Sequence, residues 1–252
     1  AADIYPNLRL IHFVQKYCVR VFTCITMRAE KSFFGSAELY NSDTILRRRN
    51  HFTIYNALPP NIHIREEQKT FSNKEITLGV VSRLERIKGM DLVIPAFAKL
   101  KKRYTVIRLL VVGDGSQRTI MQEQAIELGV NDSVEWTGRK EQSHLQSLYD
   151  RIDILLMPSR SEGFGLTAIE GMARGCVVVA SNIGGLPEVV KDGKVGLLHQ
   201  TEDVEDMVAQ IQSLLENRVR TIQLSRNALL YVSQFSFEKY ATAFCNLYER
   251  IN

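Results

Sequence analysis

The sequence predicts an α/β protein with a doubly wound parallel sheet of the Rossmann-like type, followed by a helical C-terminal extension. From residue 71 onward, short apolar runs alternate with longer helical patterns, which is the order of a parallel sheet with crossover helices. Residues 153–192 show this order most clearly, in the segment DILLMPSRSEGFGLTAIEGMARGCVVVASNIGGLPEVVKD. Two glycine-bearing turns in this segment follow predicted strands, and ligands bind beyond strand ends in such sheets.

The individual elements follow from apolar periodicity and from turn residues. Strands are predicted at residues 76–81, 107–112, 133–137, 154–157, 176–180 and 195–199. Helices are predicted at residues 88–104, 118–128, 142–150, 166–175, 204–217, 220–234 and 236–251. Pro95 lies inside the first of these helices, where it removes one hydrogen bond and costs up to about 3 kcal/mol unless the helix kinks.

The first 52 residues are less regular. Residues 8–14 and 19–26 predict short strands or buried segments, residues 27–40 a short helix, and residues 47–49 are a run of three arginines. We therefore expect four segments, which are residues 1–52, a linker at 53–70, the regular α/β domain at 71–217 and C-terminal helices at 218–252.

Composition and charge are those of an ordinary globular protein. The net charge of +4 is small, so we expect no nucleic-acid partner. No apolar run approaches the roughly 20 residues of a membrane-spanning helix. The four cysteines, Cys18, Cys24, Cys176 and Cys245, lack the paired spacing of a metal site. Reduced cysteines and a cytoplasmic location are therefore expected.

The turn at residues 159–165 predicts an anion site. Gly163 and Gly165 allow the backbone to approach a ligand closely, and the helix that follows offers free N–H groups and the positive end of its dipole. Glu162 lies in the turn and Glu170 lies within the helix. Carboxylates accept hydrogen bonds from hydroxyl groups. Phosphate donors beside hydroxyl acceptors together predict a site for a nucleotide sugar.

These residues resemble family 4 glycosyltransferases, which are retaining enzymes of the GT-B fold. The segment SEGFGLTAIEGMARGCVVVASNIGGLPEVV is similar to the family's donor-site signature. The similarity continues through VSRLERIKGMDLVIPAFAKL, LLVVGDGSQRTIMQEQAIELGV and VEWTGRKEQSHLQSLYDRIDILLMPS, and covers residues 53–217. It implies the C-terminal, nucleotide-sugar-binding domain of a GT-B enzyme, with residues 1–52 as the end of an N-terminal, acceptor-side domain.

The resemblance implies transfer of a hexose, with retention of configuration, from a UDP- or GDP-linked donor to a glycan, lipid or other acceptor. With this resemblance we also expect a role in polysaccharide biosynthesis and a peripheral contact with the inner face of a membrane. Two alternatives remain open. One is a GT-B sugar-nucleotide epimerase, against which EGFG and the spacing to the second glutamate argue. The other is a non-enzymatic module that binds a nucleotide sugar.

The resemblance also assigns roles to individual residues. Glu162 takes the catalytic position beside the donor sugar, and Glu170 binds the ribose hydroxyls. Two further residues adjoin the sugar, Gly163 and Phe164. The residues assigned to the diphosphate are Arg83, Lys88, Gly165, Leu166 and Thr167. The residues assigned to the nucleotide base are Gly113, Gly115, Arg139 and Lys140.

Each assignment has a structural alternative. Arg83 and Lys88 could be solvated loop charges. Glu162 could cap the helix, and Glu170 could be an exposed helix charge. The glycines of the base region could serve the turn alone, because Arg118 stands where the dinucleotide fingerprint has its third glycine.

The sequence shows no paired aspartates at a strand end and no metal-binding cluster. We therefore expect no metal and no cofactor beyond the nucleotide-sugar donor. Arg83, Lys88 and the helix amino terminus should then stabilise the charge of the diphosphate.

Overall fold

The computed structural model describes residues 8–41, 50–72 and 75–251, and its contacts divide the chain into two compact units. Unit 1 comprises Ala1–Leu58 with Gln234–Asn252, and unit 2 comprises Pro59–Ser233. The arginine run at residues 47–49 lies outside the described residues.

Unit 1 begins with a helix, a strand, a second helix and a second strand. These are α1 (Leu8–Tyr17), β1 (Phe22–Cys24), α2 (Met27–Phe34) and β2 (His51–Thr53). The two strands pair in parallel, with Phe22 opposite His51. The predicted helix within residues 27–40 is confirmed by α2, where the Thr26 side chain accepts a hydrogen bond from the N–H of Ala29.

The prediction of a strand or buried segment at residues 8–14 is wrong. These residues belong to α1, in which no residue is buried. The physical reason is the spacing: Leu10, Phe13 and Tyr17 recur at helical intervals instead of alternating.

Unit 2 contains a six-stranded parallel sheet in the order β5-β4-β3-β6-β7-β8. Its strands are β3 (Ile76–Val81), β4 (Ile107–Val112), β5 (Val134–Gly138), β6 (Ile154–Met157), β7 (Val177–Ser181) and β8 (Gly196–His199). Its helices are α3 (Met90–Arg103), α4 (Arg118–Glu127), α5 (Gln142–Arg151), α6 (Leu166–Ala173), α7 (Leu186–Val190), α8 (Val204–Glu216) and α9 (Arg218–Val232). The predicted doubly wound sheet is confirmed.

The strand order reverses between β3 and β6, which are paired at Leu78 and Ile154. From β3 the chain proceeds outward through β4 and β5, and from β6 it proceeds outward in the opposite direction. Such a reversal leaves a crevice beyond the carboxyl ends of the two central strands. The loop after β3 and the turn before α6 lie at these ends.

The central elements β6, β7 and α6 are apolar because they lie in the core. Every residue of β6 and β7 is buried, as expected for parallel strands covered on both faces. In α6, six of the eight residues are buried. A Cβ at Gly171, in α6, would lie 2.4 Å from Leu155 Cδ2. The glycine therefore makes room for the side chain of a neighbouring strand.

Two features differ from the predicted organisation. Residues 186–190 form α7, where the sequence predicted only a turn. The C-terminal helices at 218–252, expected as one segment, are divided between the units: α9 lies in unit 2, and α10 (Phe237–Ile251) lies in unit 1. Leu58 donates its N–H to the carbonyl of Phe235 at 2.7 Å within unit 1.

The described helices and the cysteines bear on membrane spanning and on disulfide formation. None of the described helices is long and apolar enough to cross a bilayer. All four cysteines are free thiols, with Cys24 and Cys176 buried and Cys18 and Cys245 exposed.

Candidate functional site

A cavity of about 580 Å³ lies at the carboxyl ends of β3 and β4 and beside the start of α6. Residues that the sequence assigned to three parts of a nucleotide sugar line this single cavity. They are Arg83 for the diphosphate, Gly113, Gly115, Arg139 and Lys140 for the base, and Thr167 and Glu170 on α6. Val81, Val112 and Leu145 contribute an apolar wall.

Three cations give this cavity a positive rim. Arg83, Arg139 and Lys140 are exposed, and no ion pair joins any of them to another described residue. Asp114 also lines the cavity, but Arg118 donates to its carboxylate at 2.7 Å. Positive charge that is not neutralised by a neighbouring side chain attracts an anionic ligand.

The glycines of the base region are required by the close approach of two loops. Gly113 has φ +136°, and a Cβ there would lie 1.8 Å from the carbonyl oxygen of Ser82. A Cβ at Gly115 would lie 2.5 Å from the carbonyl oxygen of Leu84. Any larger residue would push the loop after β4 away from the loop after β3. Both glycines therefore have a structural role, in addition to lining the cavity.

Glu170 is a buried carboxylate, only 7% exposed, so the alternative of an exposed helix charge is wrong. The hydroxyl of Tyr149 donates to its Oε2 at 2.6 Å. Oε1 accepts no hydrogen bond from a described residue. Burial raises the pKa of Glu170, and the hydrogen bond from Tyr149 opposes that rise. The free oxygen belongs to a side chain that lines the cavity, where it can accept from ligand hydroxyls.

Glu162 and Lys88 form an ion pair that the sequence did not predict. Nζ of Lys88 lies 2.8 Å from Oε2 of Glu162, and the two side chains are 21% and 17% exposed. The residue that caps α6 is Gly165, which makes no side-chain hydrogen bond, so Glu162 is not a helix cap. Lys88 and Glu162 lie beside the cavity and do not line it.

The amino terminus of α6 is open to an anion. Gly165 takes a left-handed conformation, with φ +106°. Leu166 and Thr167 are the first helical residues, so their N–H groups have no carbonyl partner within the helix. Phe164 is buried and anchors the turn. Gly163 is exposed, so the approach to the helix end at this position is not blocked by a side chain.

Arg160 holds the turn in place, and its role was missed in the sequence. Its guanidinium donates two hydrogen bonds to Asp91 of α3, at 2.6 and 2.9 Å. Its backbone N–H donates to the carbonyl of Ile87 at 2.9 Å. The motif gave no signal for this role, because Asp91 is distant in sequence and becomes a neighbour only through the pairing of β3 with β6.

The second glycine turn holds the backbone of Glu162. The N–H of Gly185 donates to the Glu162 carbonyl oxygen at 3.0 Å. A Cβ at Gly184 would lie 1.9 Å from the same oxygen. The two glycine turns predicted at strand ends are thus in direct contact, and they fix the position of Glu162.

The described residues include no group of three or more side chains suited to hold a metal ion. The expected independence from metal stays a prediction.

The family model described as "Glycosyl transferases group 1" matches residues 62–231, nearly the whole of unit 2. The chain belongs to this family. The resemblance found in the sequence is therefore confirmed.

Curated relatives of this group 1 chain agree with the assignment. It is 36% identical over 174 residues to a D-inositol 3-phosphate glycosyltransferase of Corynebacterium aurimucosum, covering 67% of the chain and 41% of the relative. It is 34% identical over 181 residues to the enzyme of that name from Mycobacteroides abscessus, covering 70% of the chain and 40% of the relative. The chain thus spans well under half the length of these relatives.

Solved structures show the GT-B fold for this group 1 chain. Anabaena HepE in complex with UDP superposes with a TM-score of 0.80 at 21% identity, covering 100% of this chain and 69% of HepE. A TarM mutant of S. aureus superposes with a TM-score of 0.77 at 22% identity, and the match covers 95% of this chain and 45% of TarM. The C-terminal domain of the group 1 protein LpcC from Francisella tularensis superposes with a TM-score of 0.62 at 22% identity. This match covers 70% of this chain and 96% of the LpcC domain.

The contact between the two glycine turns predicts a difference between two alanine substitutions. Gly184 and Gly193 both have positive φ, +57° and +69°, but only Gly184 places a Cβ against backbone, and Gly193 has nothing within 4 Å. Gly184→Ala should lower the free energy of unfolding by at least about 1 kcal/mol more than Gly193→Ala. Chemical denaturation of both variants measures this difference. Equal losses would show that the clash relaxes without cost.

Proposed function

We propose that this chain carries the donor-binding part of a retaining glycosyltransferase that moves a hexose from a UDP- or GDP-linked donor to a glycan, lipid or other acceptor. The observation that carries the proposal is Oε1 of buried Glu170, which accepts no hydrogen bond from a described residue, in a cavity rimmed by three cations that pair with no described carboxylate. Membership of group 1 supports it. HepE, which has the same fold, is described in complex with UDP and with UDP-glucose.

In this proposal the parts of the nucleotide occupy the cavity in a definite order. The base would lie against Gly113, Gly115 and the apolar wall, with Arg139 and Lys140 at the rim. The ribose hydroxyls would donate to Glu170. The diphosphate would lie between Arg83 and the first N–H groups of α6, close to Thr167. This order places a permanent acceptor at the hydroxyls and permanent donors at the phosphates.

The donor sugar would then lie next to Glu162 and Lys88. In the observed pair each charge neutralises the other, so neither is left without a partner before the donor binds. Lys88 would then contact both Glu162 and the terminal phosphate. A cation in that position stabilises the negative charge that develops on the leaving diphosphate when the bond to the sugar breaks. Glu162 would orient the sugar during that step.

A module that binds nucleotide sugars without transferring them would need the same cavity. The two functions are distinguished by turnover. When a nucleotide sugar is supplied with an acceptor extract, the enzyme releases nucleoside diphosphate, whereas the module retains the intact donor.

The cationic rim predicts which arginine contributes to nucleotide binding. Arg83→Ala should weaken the binding of UDP or GDP by about 1.5–3 kcal/mol, the range for a lost charge-assisted hydrogen bond. Arg86→Ala is the matched control, because Arg86 is an exposed cation of the same loop that does not line the cavity. Isothermal titration calorimetry measures both. Equal affinities for the two variants would remove Arg83 from the phosphate site.

The two glutamates should differ in which ligand they affect. Glu170→Gln keeps the size of the side chain but removes its charge and part of its acceptor capacity, so it should weaken nucleoside diphosphate and nucleotide sugar alike. Glu162→Gln should spare nucleoside diphosphate, which lacks the sugar, and weaken the nucleotide sugar. Calorimetry with both ligands tests this division. Equal weakening of both ligands by Glu162→Gln would contradict it.

Removal of metal ions should leave donor binding intact, because protein cations and the α6 amino terminus supply the positive charge. The measurement is the nucleotide-induced rise in melting temperature with and without EDTA. A rise that disappears in EDTA and returns with Mg²⁺ or Mn²⁺ would show that a metal takes the place assigned to Arg83 and Lys88.

A further inference from the structure

Tyr149 is a fully buried residue at the end of α5 with no role in the predicted site. Its side chain is 0% exposed, and its hydroxyl donates to Oε2 of Glu170 at 2.6 Å. The side chain of Thr167 interacts with the same hydroxyl and lowers the pKa of Tyr149, which burial and Glu170 raise. Thr167, Tyr149 and Glu170 therefore lie together at the wall of the cavity, and Thr167 and Glu170 line it.

The position of Tyr149 is fixed independently of the cavity. Its backbone carbonyl accepts hydrogen bonds from Nζ of the buried Lys69 at 3.3 Å and from Sγ of Cys176 at 3.2 Å. Both partners are themselves buried. The hydroxyl is thus presented to Glu170 by a rigid part of the core, so the carboxylate is held by a donor that does not move with the ligand.

Glu170 depends on this donor. Within the described part of the chain, the Tyr149 hydroxyl is the one group that donates a hydrogen bond to Glu170, and no cation forms an ion pair with this carboxylate. A buried carboxylate without a donor is costly, and such a side chain turns toward solvent or takes up a proton. Either change would remove the oriented acceptor that ribose hydroxyls need.

We propose that Tyr149 is a positioning residue, which holds the Glu170 carboxylate oriented toward the cavity and thereby sets a preference for ribonucleotides over deoxyribonucleotides. This rests on the proposed function, in which Glu170 binds the ribose hydroxyls. Oε2 is used by Tyr149, and Oε1 stays available for the ligand. Since burial raises the pKa of Tyr149 well above its ordinary value, its hydroxyl remains a donor throughout the pH range in which the protein is handled.

The plain alternative is that Tyr149 only fills the core. Tyr149→Phe separates the two roles, because phenylalanine keeps the ring and loses the hydroxyl. Loss of packing would weaken every ligand by the same factor. Loss of the oriented carboxylate would weaken only ligands that carry ribose hydroxyls.

The experiment compares the affinities of uridine diphosphate and dideoxyuridine diphosphate, or of the guanosine pair if the site prefers guanine, by calorimetry. Wild-type protein should bind the ribonucleotide more tightly. Tyr149→Phe should reduce this preference by about ten-fold, the equivalent of one hydrogen bond to a charged group, while the dideoxy ligand binds as before. An unchanged preference, or an equal loss for both ligands, would overturn the proposal.

Tyr104→Phe is the matched control. The Tyr104 hydroxyl donates to Oε1 of Glu216 at 2.6 Å, which reproduces the tyrosine–glutamate pair on the exposed surface between α3 and α8. Removing that hydroxyl should leave the preference unchanged. A similar fall in Tyr104→Phe would mean that the ratio reports general stability, and the proposal would then fail.

Glu170→Gln distinguishes failure of this inference from failure of the proposed function. If Glu170→Gln abolishes the preference but Tyr149→Phe does not, Glu170 binds ribose without help from Tyr149, and only the inference fails. If Glu170→Gln leaves the preference intact, the ribose assignment itself is wrong. Glu170→Gln with Tyr149→Phe should show no further loss beyond Glu170→Gln alone, because the two residues act as a unit.

If Tyr149→Phe does not fold, Thr167→Val is the variant in which the ribonucleotide preference is measured. Because the Thr167 side chain interacts with the Tyr149 hydroxyl, its loss should weaken Tyr149 as a donor. Any direct effect of Thr167 on the phosphates is the same for both ligands and cancels in the ratio. The preference should fall by about two- to three-fold, less than for a directly lost bond. An unchanged ratio would overturn the proposal.

Discussion

The parallel pairing of β3 with β6 is the constraint on which the rest of this structure depends. It joins two runs of strands that proceed in opposite directions, and it brings the loop after β3 against the turn before α6. Gly79 lies at the centre of β3, where a Cβ would meet the side chain of Ile152 at 2.4 Å. Cations and carboxylates that are distant in sequence become neighbours only because these two strands are adjacent.

The site is rigid because backbone contacts fix it from several sides. Gly184 and Gly185 pack on the carbonyl of Glu162, and Arg160 ties the same turn to α3. A preorganised site loses little entropy when a ligand binds. The glycines at these places are needed because backbone meets backbone, so their effect on ligand binding is indirect and runs through the position of the turn.

Electrostatics divides the site into two regions of opposite character. Arg83, which forms no ion pair with another described residue, lies where a diphosphate would bind, and Glu170, the carboxylate that would meet the ribose, is buried and held by Tyr149. Glu162 and Lys88 satisfy each other where the sugar would lie. Buried polar groups of this kind cost stability unless they are paired. Their presence beside one cavity agrees with the tendency of functional sites to depart from the most stable arrangement.

The sequence alone determined the alternation of strands and helices, because apolar periodicity and glycine turns act locally; residues 76–81, 107–112 and 154–157 coincide with their strands. It also indicated Glu162, Glu170 and the two glycine turns, since their spacing is contained in one motif. Tertiary structure decided what is distant in sequence: the Lys88–Glu162 pair, the anchoring by Arg160 and the hydrogen bond from Tyr149 to Glu170. No local pattern encodes these contacts, because they exist only after β6 lies beside β3 and the helices pack on the sheet.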